Sequence, residues 1–395
     1  MMSTDRDLRV TYLSMDPLGS TVGASQVLAY ILRLASRGVG IDLHSFERTV
    51  DGDLRDLLAA AGVRWHPHRF GGAGARGGLG RVTRLARHIR GASLVHARSD
   101  MAAAAVMSSS VDMWVWDVRS LWADQKVATG VFSEGSLQAR VFRRIERAAA
   151  RRSDRVVTLT SSAIDVLDDR YGGVGGPKAS VITTCVDRQR FVPSPPPSNA
   201  PLRVLLAGTL NRYYDVPAML DLVAALQRMT DVEFIVAAPE TTDWESDLAA
   251  VGAVRVSASL GEMPDLVASC HVGLSVCRED AGVSRLAAMP TKIGEILAGG
   301  RPVVVNRGLV DATHLLEAAE AGISMSPDDD LGLVAARVLS LVDDPGTVER
   351  ATALAARNFD LDAAVDRLVH IYCGLDCAEC RCTGGAGCLR ITFGT

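Results

Sequence analysis

The chain has 395 residues, a formal net charge of −4, 48% hydrophobic and 22% charged side chains. This length exceeds one ordinary hydrophobic core and predicts two domains of roughly 150–200 residues each. No apolar stretch approaches the about 18–20 residues of a transmembrane helix, and no apolar signal segment opens the chain. These features predict a cytoplasmic protein with at most peripheral membrane contact.

Short apolar or β-branched runs alternate with longer helical patterns along the whole chain. In the first half the predicted strands are Leu8–Ser14, Ile41–Phe46, Leu94–Ala97, Trp114–Asp117, Arg155–Thr160 and Ala179–Ile182. In the second half they are Arg203–Ala207, Val232–Ala237, Val254–Val256, Val272–Val276 and Val303–Asn306. Strands interleaved with helices are typical of parallel sheets built from βαβ units, which predicts an α/β fold with two Rossmann-like domains.

A proline-rich segment separates the two series of strands. Residues 193–201 carry five prolines, which favour an extended, stiff linker. The predicted organisation is a first domain over 1–192, this linker, a second domain over 202–355, a helix over 356–372 and a tail over 373–395. Five of the eight cysteines lie in that tail, and we interpret it as poorly ordered, with a zinc or redox role as the alternative.

Positive charge is concentrated in the first domain. Residues 76–152 contain 14 Lys/Arg and six Asp/Glu. A helix predicted over Leu137–Arg152 carries five arginines along one stripe: Arg140, Arg143, Arg144, Arg147 and Arg151. This stripe is either an ordinary solvated face or a surface for an anionic membrane or an acidic acceptor. No nucleic-acid partner is predicted.

Two glycine-containing segments of the first domain were candidates for a nucleotide site. The loop 16–27 follows the first strand, and Gly19 lets the backbone approach a ligand there. Residues 72–77 match a dinucleotide-binding fingerprint, but they follow a later strand and further glycines continue the run. We therefore predict a flexible loop at 72–77, and a nicotinamide dehydrogenase is the weakest functional alternative.

Aromatic and charged side chains collect at the end of the strand Trp114–Asp117. Trp116 offers a flat face of the kind that packs on sugars, and Asp117 with Arg119 can bind hydroxyl groups or a developing charge. A structural role in the core is the alternative for the tryptophans. His96 ends the preceding strand, where it either contacts substrate or is a buried structural histidine.

The segment 289–306 contains the groups needed to bind a nucleotide diphosphate. A proline precedes Thr291 and Lys292 at the start of a predicted helix, Glu295 lies one turn later, and a Gly-Gly stop leads into a valine-rich strand. Backbone N–H groups at a helix N-terminus bind phosphates, and a carboxylate binds ribose hydroxyls. This segment resembles the donor-binding segment of retaining glycosyltransferases of family 4.

Two further segments resemble the same family. Residues 181–193 are similar to the signature that ends its N-terminal domain, with Val186, Asp187, Phe191 and Pro193 at matching positions. Residues 205–216 resemble the turn that opens its C-terminal domain in a bacterial branch. The residues that carry this second match are Gly208, Thr209, Arg212, Tyr214 and Asp215.

The resemblance covers about residues 8–372 and implies a GT-B architecture, with a C-terminal helix that returns to the N-terminal domain. It implies a nucleotide sugar bound mainly to the second domain, an acceptor bound to the first, transfer with retention and no metal cofactor. Glu295 would bind the ribose, whereas Arg212 and Lys292 would neutralise the diphosphate. Asp117 and Arg119 are the candidates for acceptor or sugar contacts.

One departure concerns the donor sugar. The family carries a glutamate where this chain has Ala287, so the sugar contact is expected from Glu279, Asp280 or Ser284, or is absent. Two alternatives therefore stay open beside transfer: a non-catalytic partner subunit of the same fold, and a nucleotide-sugar epimerase, for which no carboxylate acid/base pair is visible.

Overall fold

A computed structural model describes residues 8–72, 74–198, 201–238 and 242–376, and contains two parallel β-sheets. The strands of the first sheet are β1 (Arg9–Leu13), β2 (Gly40–Glu47), β3 (Arg64–Arg69), β4 (Ala92–Arg98), β5 (Val111–Val118), β6 (Arg155–Thr158) and β7 (Ala179–Val181). Those of the second are β8 (Leu202–Ala207), β9 (Val232–Ala237), β10 (Val254–Val256), β11 (Val272–Ser275), β12 (Val303–Asn306) and β13 (Gly322–Met325).

Helices connect these strands. In the first domain they are α1 (Thr21–Gly23), α2 (Ala29–Ser36), α3 (Gly52–Ala60), α4 (Gly74–His88), α5 (Asp100–Met107), α6 (Trp122–Ala128), α7 (Leu137–Arg152) and α8 (Ser161–Tyr171). In the second they are α9 (Val216–Gln227), α10 (Glu245–Ala250), α11 (Met263–Ala268), α12 (Thr291–Ala298), α13 (Val310–Ala318), α14 (Leu331–Asp343) and α15 (Thr347–Asn358), followed by α16 (Leu361–Asp376). A π-helical turn, Ala24–Leu28, joins α1 to α2, and 3-10 helices span Gly176–Lys178 and Glu279–Ala287.

The strand orders place a ligand crevice in each domain. The first sheet runs β3-β2-β1-β4-β5-β6-β7 and the second β10-β9-β8-β11-β12-β13. In both sheets the chain direction across the sheet reverses next to the first strand, between β1 and β4 and between β8 and β11. Ligands of such sheets bind beyond the carboxyl ends of the strands at this reversal. The prediction of two Rossmann-like parallel-sheet domains is confirmed.

The last helix, α16, returns to the first domain, as predicted, and packs on α2 and β4. Arg37 of α2 donates to Asp362 and Asp366 at 2.9 Å each. Deeper in the interface, the Tyr372 hydroxyl and His96 Nδ1 lie 2.8 Å apart. The helix continues past Tyr372 to Asp376, and the interpretation of the cysteine tail from residue 377 onward lies outside the described residues.

The proline-rich linker is anchored to the second domain. Buried Arg301 donates to the carbonyl oxygens of Ser194 (2.7 Å) and Pro195 (3.2 Å), and His271 Nε2 lies 3.0 Å from the oxygen of Pro197. A relative motion of the domains would therefore bend the chain before this segment. The crossing point of Val186 and Asp360, which form an isolated bridge, is the nearest such place.

Residues 74–77 lie in a helix and not in the flexible loop that we predicted over 72–77. Helix α4 starts at Gly74, and its buried residues Leu85 and Ala86 pack it onto the sheet. A side chain at Gly78 would lie 3.3 Å from Met101 of α5, so glycine permits the close approach of these helices. Within the described residues, moreover, no helix is both long and apolar enough to cross a bilayer.

Four histidines cluster at the edge of the first sheet: His66 and His68 stack on His44, and His88 meets His68 edge-on. His44 Nδ1 lies 2.9 Å from His68 Nε2, and both side chains are buried. Burial, together with the neighbouring imidazoles, lowers the pKa of His44 to about 3, and burial with His88 and Arg84 lowers that of His68 to about 4. The folded protein therefore keeps both rings neutral in mildly acidic solution.

This cluster predicts a loss of stability on acidification. Below pH 6.5 a histidine of the unfolded chain is protonated, whereas His44 of the folded protein stays neutral down to its lowered pKa. The contribution of His44 to stability is therefore complete above pH 6.5 and decreases as the pH falls towards the folded pKa. We expect His44 to cost about 2 kcal/mol of unfolding free energy at pH 5 relative to pH 7.5. In urea unfolding, the unfolding free energy of His44→Leu should depend less on pH than that of the wild type. The control His314→Asn, at an exposed position, should show the same pH dependence as the wild type. Equal pH dependence in wild type and His44→Leu would contradict the prediction.

Candidate functional site

The two domains face each other across a cleft that contains two adjoining cavities. The central cavity, about 430 Å³, is lined from the first domain by Met15, Asp16, Val22, Gln26, Arg98–Met101, Arg119, Ser120, Trp122, Gln125, Leu159 and Thr184, and from the second by Asn211, Tyr213, Tyr214, Ser284 and Ala288–Thr291. The flanking cavity, about 500 Å³, includes Arg33, Asp187, Arg190, Leu260 and Glu295. Gln26 and Thr291 belong to both walls, so the cavities meet at these residues.

Lys292 lies behind the wall of the second domain, in the first turn of α12. Its ammonium nitrogen sits 3.9 Å from the centroid of the Tyr214 ring and has no hydrogen-bond partner among the described residues. Burial lowers its pKa to about 8, although Cys277 and Glu295 partly oppose this effect. A buried ammonium without an anionic partner is unfavourable, which indicates a place for a ligand's negative charge.

The backbone around Lys292 is suited to the same charge. Pro290 stands at the N-cap of α12, and no described side chain caps that helix. Ile293 N–H bonds Pro290 O, so the N–H groups of Thr291 and Lys292 remain for a ligand. Gly208, at the end of β8, has a φ of +97°, which glycine adopts without strain. A Cβ atom added to Gly208 would lie 3.5 Å from the Lys292 ammonium nitrogen, so this glycine borders the ammonium.

Glu295 lies one turn further along α12, in the wall of the flanking cavity. Burial raises the pKa of its carboxyl, and the positive charges of Lys292 and Arg190 counteract that rise. Thr291 lines both cavities, so the wall that contains this carboxyl continues into the central cavity. The structure thus brings together Gly208, Thr291, Lys292 and Glu295, four of the residues that the sequence analysis assigned to donor binding.

Three other residues predicted to bind the donor lie elsewhere. Arg212 and Thr209 are exposed, and neither is among the described residues that line the two cavities. The Asn211 side chain accepts a hydrogen bond from Tyr213 N at 2.9 Å, and this turn directs Asn211 and Tyr213 into the cleft, leaving Arg212 outside. Gly19 is exposed as well, and a Cβ there would meet no described atom within 4 Å.

Asp117 and Arg119 form a buried pair at the end of β5. Burial would raise the pKa of Asp117, but Arg119, a hydrogen bond from His96 and the charge of Arg98 hold it well below its usual range. Arg119 donates to Asp117 Oδ1 and to Gln26 Oε1, both at 3.3 Å. Of the pair, Arg119 lines the central cavity, whereas Asp117 lies behind it and orients the guanidinium.

Two of the proposed sugar contacts in the first domain are structural. His96 is 1% exposed, stacks on Tyr12 and has hydrogen-bond partners on both nitrogens, Asp117 and Tyr372. Trp116 is 0% exposed within the core, so its face is closed to a sugar, and the prediction for it is wrong. Trp122 lines the central cavity instead.

The residues proposed to replace the missing glutamate differ in position. Glu279 is tied to Arg285, to Asn306 Nδ2 at 3.2 Å and to Gly308 N at 3.3 Å, and Asp280 pairs with Arg278. Neither belongs to the described lining of the central cavity. Ser284 does line it, with its hydroxyl donating to Ala281 O at 2.7 Å.

Ala287 itself is 1% exposed and belongs to the apolar cluster of the first domain. The 3-10 helix that carries it packs on α6 and α8. The position at which the family has a glutamate is therefore a contact between domains in this chain. A carboxylate there would be buried against apolar side chains.

Several cavity residues were not predicted from the sequence. Gln26, in the π-helical turn, donates to Cys185 O at 3.2 Å and accepts from Arg119. Arg98 is the last residue of β4, and Ser99 and Asp100 follow it directly. Their position just after a parallel strand was the available signal, because such positions face the crevice.

Sequence comparison finds neither a matching protein-family model nor a matching curated protein. Solved structures, in contrast, match over nearly the whole chain. HepE of Anabaena, in complex with UDP and glucose, has 17% identity and a TM-score of 0.66, covering 92% of this chain and 99% of HepE. The sucrose-phosphate synthase of Thermosynechococcus elongatus has 14% identity and a TM-score of 0.70, covering 93% and 99%.

WaaG, a glycosyltransferase involved in lipopolysaccharide biosynthesis, has 13% identity and a TM-score of 0.64, covering 92% of this chain and all of WaaG. At these identities the likeness concerns the fold. The chain has the GT-B architecture of these glycosyltransferases, with two Rossmann-like domains and a helix that crosses back.

Proposed function

We propose that this chain is a glycosyltransferase that moves a sugar from a nucleotide-diphosphate donor to a hydroxyl-bearing acceptor, with retention of configuration as in family 4. The observation that carries the proposal is the buried, unpartnered ammonium of Lys292, in the described structure, beside the uncapped N-terminus of α12. HepE, which shares this fold, has been crystallised with UDP and with UDP-glucose. A uridine diphosphate sugar is therefore the first donor to test.

The proposed donor spans both cavities. Its diphosphate lies at Thr291 and Lys292, its ribose hydroxyls bind Glu295 in the flanking cavity, and its sugar enters the central cavity near Ser284. Lys292 and the helix N-terminus supply the positive charge that the leaving diphosphate requires, so the proposed reaction uses no metal cofactor.

The carboxyl groups of the central cavity favour front-face transfer. Asp16 is paired with Arg98, and burial together with Glu146 raises the pKa of Asp100 well above its usual range. Neither is a free carboxylate nucleophile. In the proposed mechanism the acceptor hydroxyl attacks the anomeric carbon on the face that the diphosphate leaves, and a departing phosphate oxygen takes the hydroxyl proton.

The donor assignment is tested by thermal shift with UDP, GDP, ADP and TDP. One nucleotide should raise Tm of the wild type, and Glu295→Ala should weaken its binding about 10- to 100-fold through loss of the ribose hydrogen bonds. Glu349→Ala, at an exposed position of α15, is the matched control and should bind as wild type. The proposal fails if no nucleotide stabilises the protein or if Glu295→Ala binds as tightly as the control.

The alternatives are separated by the products. A non-catalytic partner subunit would leave a stabilising nucleotide sugar intact even with acceptors present, and an epimerase would convert it without an acceptor. Because Ala287 is a packing residue between the domains, it gives no independent support to the partner subunit.

We further propose that α7 contacts an anionic membrane from the cytoplasmic side. Arg140, Arg144, Arg147 and Arg151 are exposed, next to exposed Leu137 and Val141. Arg143, the fifth arginine of the stripe, is instead paired with Asp124 and Glu134. Exposed cations beside apolar side chains suit the headgroup region of a bilayer.

Vesicle sedimentation tests this contact. Each arginine near an anionic surface contributes about 1 kcal/mol, so the double charge reversal R144E/R147E should weaken binding to phosphatidylglycerol vesicles at least about 30-fold. The control R228E/R357E changes two exposed arginines of the second domain and should bind as wild type. Equal binding of the two double variants, or equal binding to neutral vesicles, would refute membrane contact through α7.

A further inference from the structure

The last residue of β4 and the two residues after it form a polar corner in the first-domain wall of the central cavity. We call Arg98, Ser99 and Asp100 the β4 corner. Arg98 Nε and Ser99 Oγ are buried without a hydrogen-bond partner in the described structure, whereas the Asp100 carboxyl faces the buried Trp116 indole. Buried polar groups are nearly always paired, so two unpaired groups in adjacent residues indicate a ligand.

The backbone of the corner is held in an unfavourable conformation. Ser99 has φ +90° and ψ 165°, a region that is essentially restricted to glycine. Its N–H donates to Asp117 O at 3.0 Å, and its carbonyl oxygen accepts from Ala103 N at 3.0 Å, so β5 and α5 hold the residue in place. Serine is strained there, whereas glycine would be relaxed.

The Ser99 hydroxyl has no local role that would explain its presence. A serine before a helix usually accepts a hydrogen bond from the first turn of that helix, but Ser99 makes no such bond to α5. Strain of this kind is found at binding sites, where the surrounding structure enforces it.

The charges of the corner are already compensated. Arg98 pairs with Asp16, and nearby Arg119 pairs with Asp117. Burial and the charge of Glu146 raise the pKa of Asp100 well above its usual range, which favours the neutral carboxyl, a group that can both donate and accept. A guanidinium N–H, a hydroxyl and a neutral carboxyl together match groups that both donate and accept hydrogen bonds.

We propose that the β4 corner binds the hydroxyl groups of a neutral sugar or polyol, the acceptor of the transfer reaction. Trp122, in the same wall, supplies an apolar face for a sugar ring. This assignment rests on the proposed function, to which it adds the acceptor class. A phosphorylated or carboxylated acceptor would bring a full charge to a corner whose one arginine is already paired with Asp16.

The test uses glucose and glucose 6-phosphate as matched probes, with saturation-transfer NMR on the full chain in the presence and absence of UDP. Glucose should bind the wild type more tightly than glucose 6-phosphate. Ser99→Ala and Ser99→Gly should each weaken glucose binding about 10-fold, the value of one hydrogen bond. Ser108→Ala, at the exposed opposite end of α5, is the control and should bind as wild type.

Stability distinguishes a strained ligand site from a structural serine. Ser99→Gly should raise Tm by about 2–4 °C, because glycine relaxes the backbone, while Ser99→Ala should not. The proposal is overturned if wild type binds no glucose, if glucose 6-phosphate binds more tightly, if both Ser99 variants bind as wild type, or if Ser99→Gly lowers Tm. Failure of UDP to bind would instead refute the proposed donor site. The sugar measurements made without UDP test the β4 corner independently of that site.

Discussion

Replacing Lys292 by methionine is expected to lower nucleotide affinity about 100-fold while raising the stability of the unliganded protein. The ammonium is buried over the Tyr214 ring without a hydrogen-bond partner among the described residues. Methionine keeps the unbranched apolar stem and removes a charge that is unfavourable in the empty site. In the complex that charge faces the diphosphate, where a charge-assisted hydrogen bond contributes about 1.5–3 kcal/mol.

Calorimetric titration with UDP and thermal unfolding measure the two effects on the same variant. Lys178→Met is the control, since Lys178 bonds the carbonyl oxygen of Ala150 at the far end of α7 and should leave affinity unchanged. A Lys292→Met protein that binds UDP like the control would remove the basis of the donor site. Lower stability with lost binding would assign Lys292 a structural role instead.

The pH dependence of binding gives a second readout for the same residue. The pKa of Lys292 is lowered to about 8 in the empty protein, and a bound diphosphate would raise it because it favours the charged form. Nucleotide affinity of the wild type should therefore fall as the pH rises through 8, as the ammonium of the free protein loses its proton. Lys292→Met should show no such decline.

The sequence predicted the local arrangement of residues on α12 better than the direction of the residues around it, for a physical reason. Pro290, Thr291 and Lys292 open a helix, and Glu295 follows one turn later, so their relative positions depend only on local geometry. Arg212 was predicted to face the cleft and does not, because the direction of its side chain depends on the turn made by Asn211. In such a turn, a difference of one residue in position determines whether a side chain faces the cavity or the solvent.

In the first-domain wall of the cleft, the burial of side chains could not be derived from the sequence pattern. Trp114 and Trp116 alternate on one face of β5, and that face packs against helices of the first domain. The strain at Ser99 left no trace in the sequence either, since serine before a helix normally signals an ordinary cap. Such positions are determined by contacts between distant segments.

The strands also differ in how well the sequence predicts them. All eleven predicted strands are present, whereas β3 (Arg64–Arg69) and β13 (Gly322–Met325) were not predicted. β3 contains two histidines, two arginines and a proline, a composition that is tolerated because it lies at the edge of its sheet. β13 is an edge strand of four residues, too short for a clear pattern.

Ala287→Glu, which introduces the glutamate of the family, is expected to destabilise the protein by about 3–5 kcal/mol. Ala287 is 1% exposed and packs into the apolar cluster of the first domain. Nearby, Thr160 Oγ1 donates to Leu286 O at 2.5 Å, which holds the 3-10 helix against α8. A longer side chain separates these surfaces, and a carboxylate adds the cost of burying a charge.

Two variants divide this effect into its causes. Ala287→Gln has the same size without the charge, and Ala249→Glu places the charge at an exposed position of α10, where it should change stability little. Urea unfolding should rank the wild type and Ala249→Glu above Ala287→Gln, and Ala287→Glu lowest. Equal stability of Ala287→Glu and wild type would show that position 287 is open to the cleft and available to a donor sugar.

Acidification should reverse part of the loss in Ala287→Glu. A buried glutamate has a raised pKa in the folded protein, so its penalty is absent below the pKa of the unfolded chain and grows as the pH rises through the folded value. The difference from wild type should therefore shrink between pH 7.5 and pH 4.5, while that of Ala287→Gln stays constant. Comparison at each pH cancels the histidine contribution, which is common to all variants. The contact between the domains at Ala287 would then explain why this chain has no glutamate at that position.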